Sequence, residues 1–292
     1  MFKNPMLCGL KKFDMVCNSP DWLWERKYDG ERAQVEISSG KRFIFARSGK
    51  EKNRMYPDLQ IDVRVDCTLD GEIATTTGKF NDIQHRVNRK NGIQEAAWRY
   101  PVMFHCFDVI QIAGQSVIDK PLSQRKAYLN SLIIPNPTCE IVPHYQDGIT
   151  LWSIAQTGKW EGIIGKKVNS RYGFGERGES WIKVKVLQRE TCWVVGYTPG
   201  TGWRQSTFGA MVLGKFQNGV DTVIPVGEVG TGFTQAEIAR LDDKLKSSGT
   251  GIALFSYPGA ITWIAQPFEI MIEFLEKTAD GKYRFPSYKG TL

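Results

Sequence analysis

The sequence predicts an α+β protein in two parts: residues 1–187, built from antiparallel sheets and helices, and residues 188–292, a small barrel of short strands. Three observations carry this. Strand-like alternation recurs through the first part and is broken by a helix-like stretch. Near Gln188-Arg189-Glu190 the patterning changes. Beyond that point short strands and a single helix fill about 100 residues, which suits a five-stranded OB-type barrel; an SH3-like barrel fits the pattern almost as well.

In the first part, residues 32–38 and 41–47 alternate and are joined at Ser39-Gly40, a two-residue hairpin signal. A helix begins at Ser123, with Tyr128, Leu129, Leu132 and Ile133 on one face. Strand patterning returns at 162–168 and 181–187. In the second part strands are expected over 191–197, 210–216, 222–229 and 268–277, with Asp280-Gly281 as a second hairpin turn. The helix over 235–246 carries its own start signal: Thr234 caps it and Glu237 completes a capping box.

Composition narrows the function classes. Of 292 residues 41% are hydrophobic. No apolar run approaches the ~20 residues that span a bilayer, and the N-terminus lacks the apolar core of a signal peptide. The expectation is a cytoplasmic protein with no membrane partner. Cys8, Cys17, Cys67, Cys106, Cys139 and Cys192 form no C-x-x-C pair, which argues against a zinc knuckle and fits a reducing compartment. Three histidines are too scattered for a His-based metal site. The net charge of +7 favours a polyanionic partner through counterion release.

The chemistry centres on Glu25-Arg26-Lys27-Tyr28-Asp29-Gly30-Glu31-Arg32. A lysine amine can attack phosphorus and hold the product as a phosphoramidate, dividing one hard step into two. A free lysine, with a pKa of ~10.4, is neutral in only about one molecule in 2,500 at pH 7, a cost of roughly 4.6 kcal/mol. A divalent metal, cationic neighbours or partial burial lowers that cost. Alone, K-x-D-G reads as a surface turn. Further along, Leu69-Asp70-Gly71-Glu72-Ile73 places a carboxylate at a strand end, and Glu161-Gly162-Ile163-Ile164-Gly165-Lys166 places another. Trp181-Ile182-Lys183-Val184-Lys185 puts two lysines on one strand face. Singly these are scaffold: surface acids and a solvated strand face. Together they describe a nucleotidyl-transfer site, with two carboxylates for Mg²⁺, a lysine pair for phosphates and a nucleophile.

In this order the motifs resemble the covalent nucleotidyltransferases, which comprise ATP- and NAD-dependent DNA ligases, RNA ligases and mRNA capping enzymes. Arg47-Ser48-Gly49, Phe107-Asp108-Val109-Ile110 and the stretch from Asp119-Lys120-Pro121-Leu122 to Arg125-Lys126 match further motifs of the first domain. Phe208-Gly209-Ala210, Val229-Gly230-Thr231-Gly232-Phe233 and Arg284-Phe285-Pro286-Ser287 resemble the OB domain of compact ATP-dependent DNA ligases, most of all the ligase modules of bacterial end-joining repair. The resemblance implies a nucleotidyltransferase (adenylation) domain followed by an OB-fold domain. It implies Lys27 as nucleophile and Glu25 as acceptor from the adenine amino group. Phe107 would stack on the base, unless it is core packing. Asp29 and Arg32 would organise the lysine strand and the nick phosphate. Glu72 would lie near ribose and metal, and Glu161 would hold the metal. Lys183 and Lys185 would contact phosphates, and Arg47 the nucleotide or DNA, unless it is an exposed hairpin end.

The resemblance implies ATP rather than NAD as donor, with Mg²⁺, or Mn²⁺ in its place: NAD-dependent ligases carry a domain before the lysine and a four-cysteine zinc finger, whereas only 26 residues precede Lys27 here and no such finger is present. The family's last motif usually continues from its glycine to a second arginine. Here Arg284 and Gly290 are followed by Thr291-Leu292, with Leu292 where the second arginine is usual; the expectation is slow self-adenylylation, with Lys282 or Lys289 as substitutes. The substrate expected is nicked duplex DNA, sealed by a monomer. Arg86, Arg89 and Lys90, Arg32 and Arg47, and Trp203 and Arg204 are the candidate DNA contacts, against a bland reading as solvated loops. The short Gln188-Arg189-Glu190 connection has the position of a hinge. An RNA ligase or capping-type guanylyltransferase is the alternative enzyme, and a non-catalytic OB-type binding module the alternative class.

Overall fold

The computed structural model describes residues 2–9, 13–78, 80–87, 89–217, 222–278 and 280–292. The chain divides into two compact units, Met1–Val186 and Leu187–Leu292. None of the described helices is long and apolar enough to cross a membrane.

The first unit runs β1 (Leu7–Gly9), β2 (Trp22–Lys27), β3 (Glu31–Ser38), β4 (Lys41–Ala46), β5 (Asp62–Val63), β6 (Cys67–Thr75), α1 (Phe80–Val87), α2 (Ile93–Arg99), β7 (Val102–Ile112), β8 (Gln115–Ser116), α3 (Leu122–Leu132), β9 (Ile133–Ile134), β10 (Cys139–Ile141), β11 (His144–Tyr145), α4 (Gly148–Thr157), β12 (Gly162–Lys167) and β13 (Arg177–Lys185). Two sheets result, in the orders β1-β13-β12-β2-β11 and β10-β7-β6-β3-β4, with β8 beside β7. They are antiparallel except for β1 against β13 and β10 against β7. The β3–β4 hairpin forms through Ser39 and Gly40, both at positive φ, as the primed turns require. Alternation on β3 sends Ala33, Val35 and Ile37 into the largest core, against Leu69, Phe104 and Leu129.

Two expectations change in this unit. Ile133 leaves the helix face and begins β9 against β5, because α3 ends at Leu132. Glu72 lies in the middle of β6, not at its end.

The second unit runs β14 (Gln188–Pro199), β15 (Phe208–Phe216), β16 (Val223–Val229), α5 (Gln235–Ser247), β17 (Thr262–Phe274), β18 (Glu276–Lys277), β19 (Tyr283–Arg284) and β20 (Ser287–Thr291). Its main sheet has the order β16-β15-β14-β17-β20. With the helix between the third and fourth long strands, and the first strand pairing with both the second and the fourth, this is the OB arrangement and not an SH3-like one. The Thr234–Glu237 capping box is present in full. Gly232, at φ +94°, leaves no room for a side chain: a Cβ there would lie 2.4 Å from the Ser287 hydroxyl and 2.6 Å from the Tyr288 nitrogen. Gln188, Arg189 and Glu190 are not a free connection. They are the first rungs of β14, paired with Phe274, Glu273 and Ile272, so only Val186 and Leu187 lie between β13 and β14.

Candidate active site

Strand β2 builds the site by its period of two. Trp22 and Trp24 turn into a core with Leu151 and Ile163, while Glu25 and Lys27 turn the other way. The register of β12 and β13 extends that second face into rows. Lys27 is opposite Gly162, which is opposite Lys185; Glu25 is opposite Ile164, which is opposite Lys183; Leu23 is opposite Lys166, which is opposite Trp181. From the other sheet, β3 and β6 bring Arg32 opposite Glu72. Glu25, Lys27, Arg32, Arg47, Glu72, Phe107 and Lys183 thereby line one cavity of ≈220 Å³.

Charges inside it are tightly paired. The Lys27 ammonium donates to Glu161 Oε2, and Lys185 Nζ lies 3.4 Å from Oε1 of the same carboxylate. Glu25 is buried, with Lys126 on one oxygen and Lys166 2.7 Å from the other. Despite its burial, the two ammonium groups hold its carboxyl below the usual range. Lys166 must share that single counter-charge with Lys126. Burial therefore wins, and its ammonium is held down to about 8. Lys183 is also lowered, by partial burial and then by the charge of Lys185.

Arg32 grips Asp70 in a two-point bond, Nε to Oδ1 and Nη2 to Oδ2, both 2.7 Å. Asp70 is fully buried and also accepts from the Tyr172 hydroxyl at 2.5 Å. The Arg32 guanidinium lies 4.4 Å from the Phe107 ring centre, and Lys166 Nζ 4.0 Å from the same ring. Phe107 is thus both core and cavity wall, packed edge-on against Trp181. Burial pushes the Glu72 carboxyl up to about 7 against the pull of Arg32 and Lys27, and the Glu161 charge adds to the rise. Among the described residues no hydrogen-bond or ion-pair partner closes on Glu72.

The remaining candidates separate. Arg47 is exposed in the turn after β4, at the cavity rim. Arg86, a candidate DNA contact in the sequence, is buried and is neither that contact nor part of a solvated loop. It shares the buried face of α1 with Ile83, is 1% exposed, and spends its guanidinium on Asp58 and the carbonyls of Met55 and Tyr100. A DNA phosphate cannot reach it. Arg89 and Lys90 remain at the surface. In the second unit Trp203 is 73% exposed, whereas Arg204 bonds the carbonyls of Gly209 and Gly230, and Arg284 pairs with Glu276.

Residue patterning passed over Lys126 and Lys166 as individual groups. Period-two alternation from Gly162 through Ile164 would have put Lys166 on the cavity face. Lys126 comes from α3, about 100 residues from Glu25, and carries no local signal.

Two family models match the chain: the ATP dependent DNA ligase domain over residues 5–185, and the ATP dependent DNA ligase C terminal region over residues 204–291. The chain belongs to the ATP-dependent DNA ligases. Among relatives in this family, the multifunctional non-homologous end joining protein LigD of Mycolicibacterium smegmatis is 30% identical over 285 residues, covering 92% of this chain and 36% of that protein. DNA ligase 2 of Thermofilum pendens is 33% identical over 248 residues, covering 76% of this chain and 41% of that protein. The chain therefore spans well under half the length of these curated relatives. The ligase domain of M. tuberculosis LigD shares the fold at a TM-score of 0.55 and 24% identity, over 99% of this chain and 95% of that one. A Lig E DNA ligase does so at 0.67 and 19%, over the whole of both chains.

Proposed function

We propose that this chain, as a monomer, seals nicks between a 3′-hydroxyl and a 5′-phosphate in duplex DNA through a covalent adenylate on Lys27. The observation that supports this reading is the one sheet face on which Lys27, Glu25 and Lys183 meet Arg32, Glu72 and Phe107 around a single cavity. Residues 1–187 would carry adenylation and residues 188–292 would serve as the OB partner.

In the first step the Lys27 amine, its proton gone, attacks the α-phosphorus of ATP; an N–P bond forms as the bond to pyrophosphate breaks. The 5′-phosphate of the nick then attacks the same phosphorus, and Lys27 leaves and regains a proton. Finally the 3′-hydroxyl loses its proton and attacks the 5′-phosphate, and AMP departs. Lys183 and Lys185 offset phosphate charge. Glu25 orients the base: both oxygens are engaged by lysines, but a carboxylate has about four acceptor positions. Adenine stacking on Phe107 would take the place of a cation contact on that ring. Arg47, Arg89, Lys90 and Trp203 are surface groups suited to DNA, and the Arg284 motif to the nucleotide's phosphates.

Glu72 and Glu161 fit Mg²⁺ or Mn²⁺: they are hard oxygen donors, Glu72 has no hydrogen-bond or ion-pair partner among the described residues, and two carboxylates suit an ion that keeps waters and substrate phosphates for its other positions. Such an ion supplies charge neutralisation at the phosphates when bound.

The test is incubation with α-labelled ATP or GTP, then chase onto nicked DNA or nicked RNA. ATP label should survive denaturation, vanish in Lys27→Ala and pass to DNA. Undiminished labelling of Lys27→Ala would remove the assignment.

A further inference from the structure

The nucleotide cavity opens towards α1. It shares Arg32, Arg47 and Glu72 with a shallower groove of ≈520 Å³, and the groove runs on to Gln84 and Val87 of that helix. Lys52 is buried and ties the two sides of the groove: its ammonium lies 3.0 Å from Glu31 Oε1 and donates to the Val87 carbonyl at 2.6 Å. Beyond α1 come Arg89 and Lys90, and Arg54 donates to the Lys90 carbonyl at 3.4 Å.

Helix α2 adds to this surface. Ala96 and Ala97 form its buried face, so Glu95, Trp98 and Arg99 stand together on the outer one. Glu95 lies 3.9 Å from Arg89, which sets Trp98 and Arg99 beside Arg89 and Lys90. Trp98 is 85% exposed, the most exposed large hydrophobic side chain among the described residues. Arg54, Lys90 and Arg99 are exposed as well, and among the described residues no carboxylate pairs with them.

Arginine and lysine without carboxylate partners fit the phosphates of a polyanion. Trp98 adds a demand that phosphates do not meet, because an indole standing clear of the protein gains from a flat apolar face laid on it. In a duplex each base shows its faces only to its neighbours in the stack, whereas an unpaired strand presents them. Cations for the backbone and an aromatic side chain for the bases are the chemistry of single-strand binding. We propose that Trp98, with Arg54, Lys90 and Arg99, binds single-stranded DNA leading away from the groove, with one base stacked on the indole. The inference rests on the reading that the substrate is DNA and adds an unpaired segment to that substrate.

Fluorescence anisotropy of the full chain with labelled oligo-dT of about 16 nucleotides tests it. Trp98→Ala should weaken binding about 5- to 150-fold, the loss of one stacked base, and Trp98→Phe, which keeps a ring, should recover most of it. Affinity for a blunt, fully paired duplex should hardly change. Arg54→Gln and Arg99→Gln should each flatten the slope of log K against log salt by about 0.7, the single-strand value for one phosphate. All three side chains are exposed, so these variants should melt with the wild type. Duplex binding without Trp98-dependent binding of oligo-dT would overturn the surface and leave the DNA substrate standing; binding of neither would remove both. Equal losses on duplex and oligo-dT would overturn the choice of an unpaired strand, and tighter binding of oligo-rU would overturn the choice of DNA. The readout needs neither ATP nor sealing, so a failed surface and a failed Lys27 adenylate give different results.

Discussion

Replacing Glu25 by glutamine should destabilise the first unit severely, and the structure sets the size. Glu25, Lys126 and Lys166 are each 2–3% exposed, so two ammonium groups depend on one carboxylate away from water. Removing one partner of a buried ion pair costs about 3–5 kcal/mol, because the other charge stays behind uncompensated. For a unit of this size, at roughly 2–4 °C per kcal/mol, the unfolding midpoint should fall by about 6–20 °C. Calorimetry near pH 7 is the assay. Adding Lys126→Met to Glu25→Gln removes one stranded charge and should recover part of the loss. The effect also has a pH signature. Lys166 titrates at about 8 in the folded protein against 10.5 in its ordinary state. Between these values the unfolded chain binds more protons at this site, so the folded wild type gains stability from it as pH rises through that window. A neutral Lys166 needs no counter-charge, so the deficit of Glu25→Gln should narrow on going from about pH 7 to about pH 9. A midpoint unchanged by Glu25→Gln, or a double variant worse than the single, would show that water reaches these lysines and would refute the reasoning.

Arg86 and Arg89, both candidate DNA contacts in the sequence, should behave in opposite ways. Arg86→Ala should lower stability by about 3–5 kcal/mol, since it strands a carboxylate partner, and leave the salt dependence of DNA binding unchanged. Arg89→Ala should barely move stability and flatten the slope of log K against log salt by about one, as read by filter binding at several salt concentrations. Gly30→Ala puts a Cβ 2.2 Å from the Ile73 carbonyl oxygen and 3.0 Å from Glu72 Cγ, so the turn after Lys27 must shift. A shift of about 1 Å at a reacting group costs on the order of 100-fold in rate, which single-turnover lysine adenylylation should register. In the second unit, hydrogen bonds from Lys215, Lys277 and Tyr283 overcome burial and hold the Glu190 carboxyl at about 2, below its ordinary 4.5. Its contribution is present above about 4.5 and lost as pH falls towards about 2, so acid melts of Glu190→Gln should lack that part of the decline.

What could be read from the sequence was local. Ser39-Gly40 and Thr234 with Glu237 dictate their turn and cap through neighbouring atoms, and both form as expected. The lysines of β13 follow from the strand period alone. The short helices carried weaker marks. Helix α4 was missed although Asp147 caps it by accepting from the Thr150 nitrogen, and its apolar residues do not keep to one face: Ile149 and Ile154 are exposed. Arg86 was misread because charge in a sequence implies water, while its partner Asp58 lies 28 residues away. The same limit hid the Lys126–Glu25 pair. Pairings of that kind are fixed by how two sheets and a helix meet, which no window of residues contains.

One carboxylate, Glu161, answers to two ammonium groups, and one of them is Lys27, the amine proposed as nucleophile. An amine cannot hold a proton for an ion pair and offer its electrons to phosphorus at once. Stray electrophiles, such as aldehydes or acyl phosphates, meet an amine tied to the Glu161 carboxylate. On the proposed reading, an occupant that takes the carboxylate frees the amine, which ties the danger of a free nucleophile to the presence of its proper cargo. Aldehyde adducts at Lys27 should form more slowly in the wild type than in Glu161→Gln.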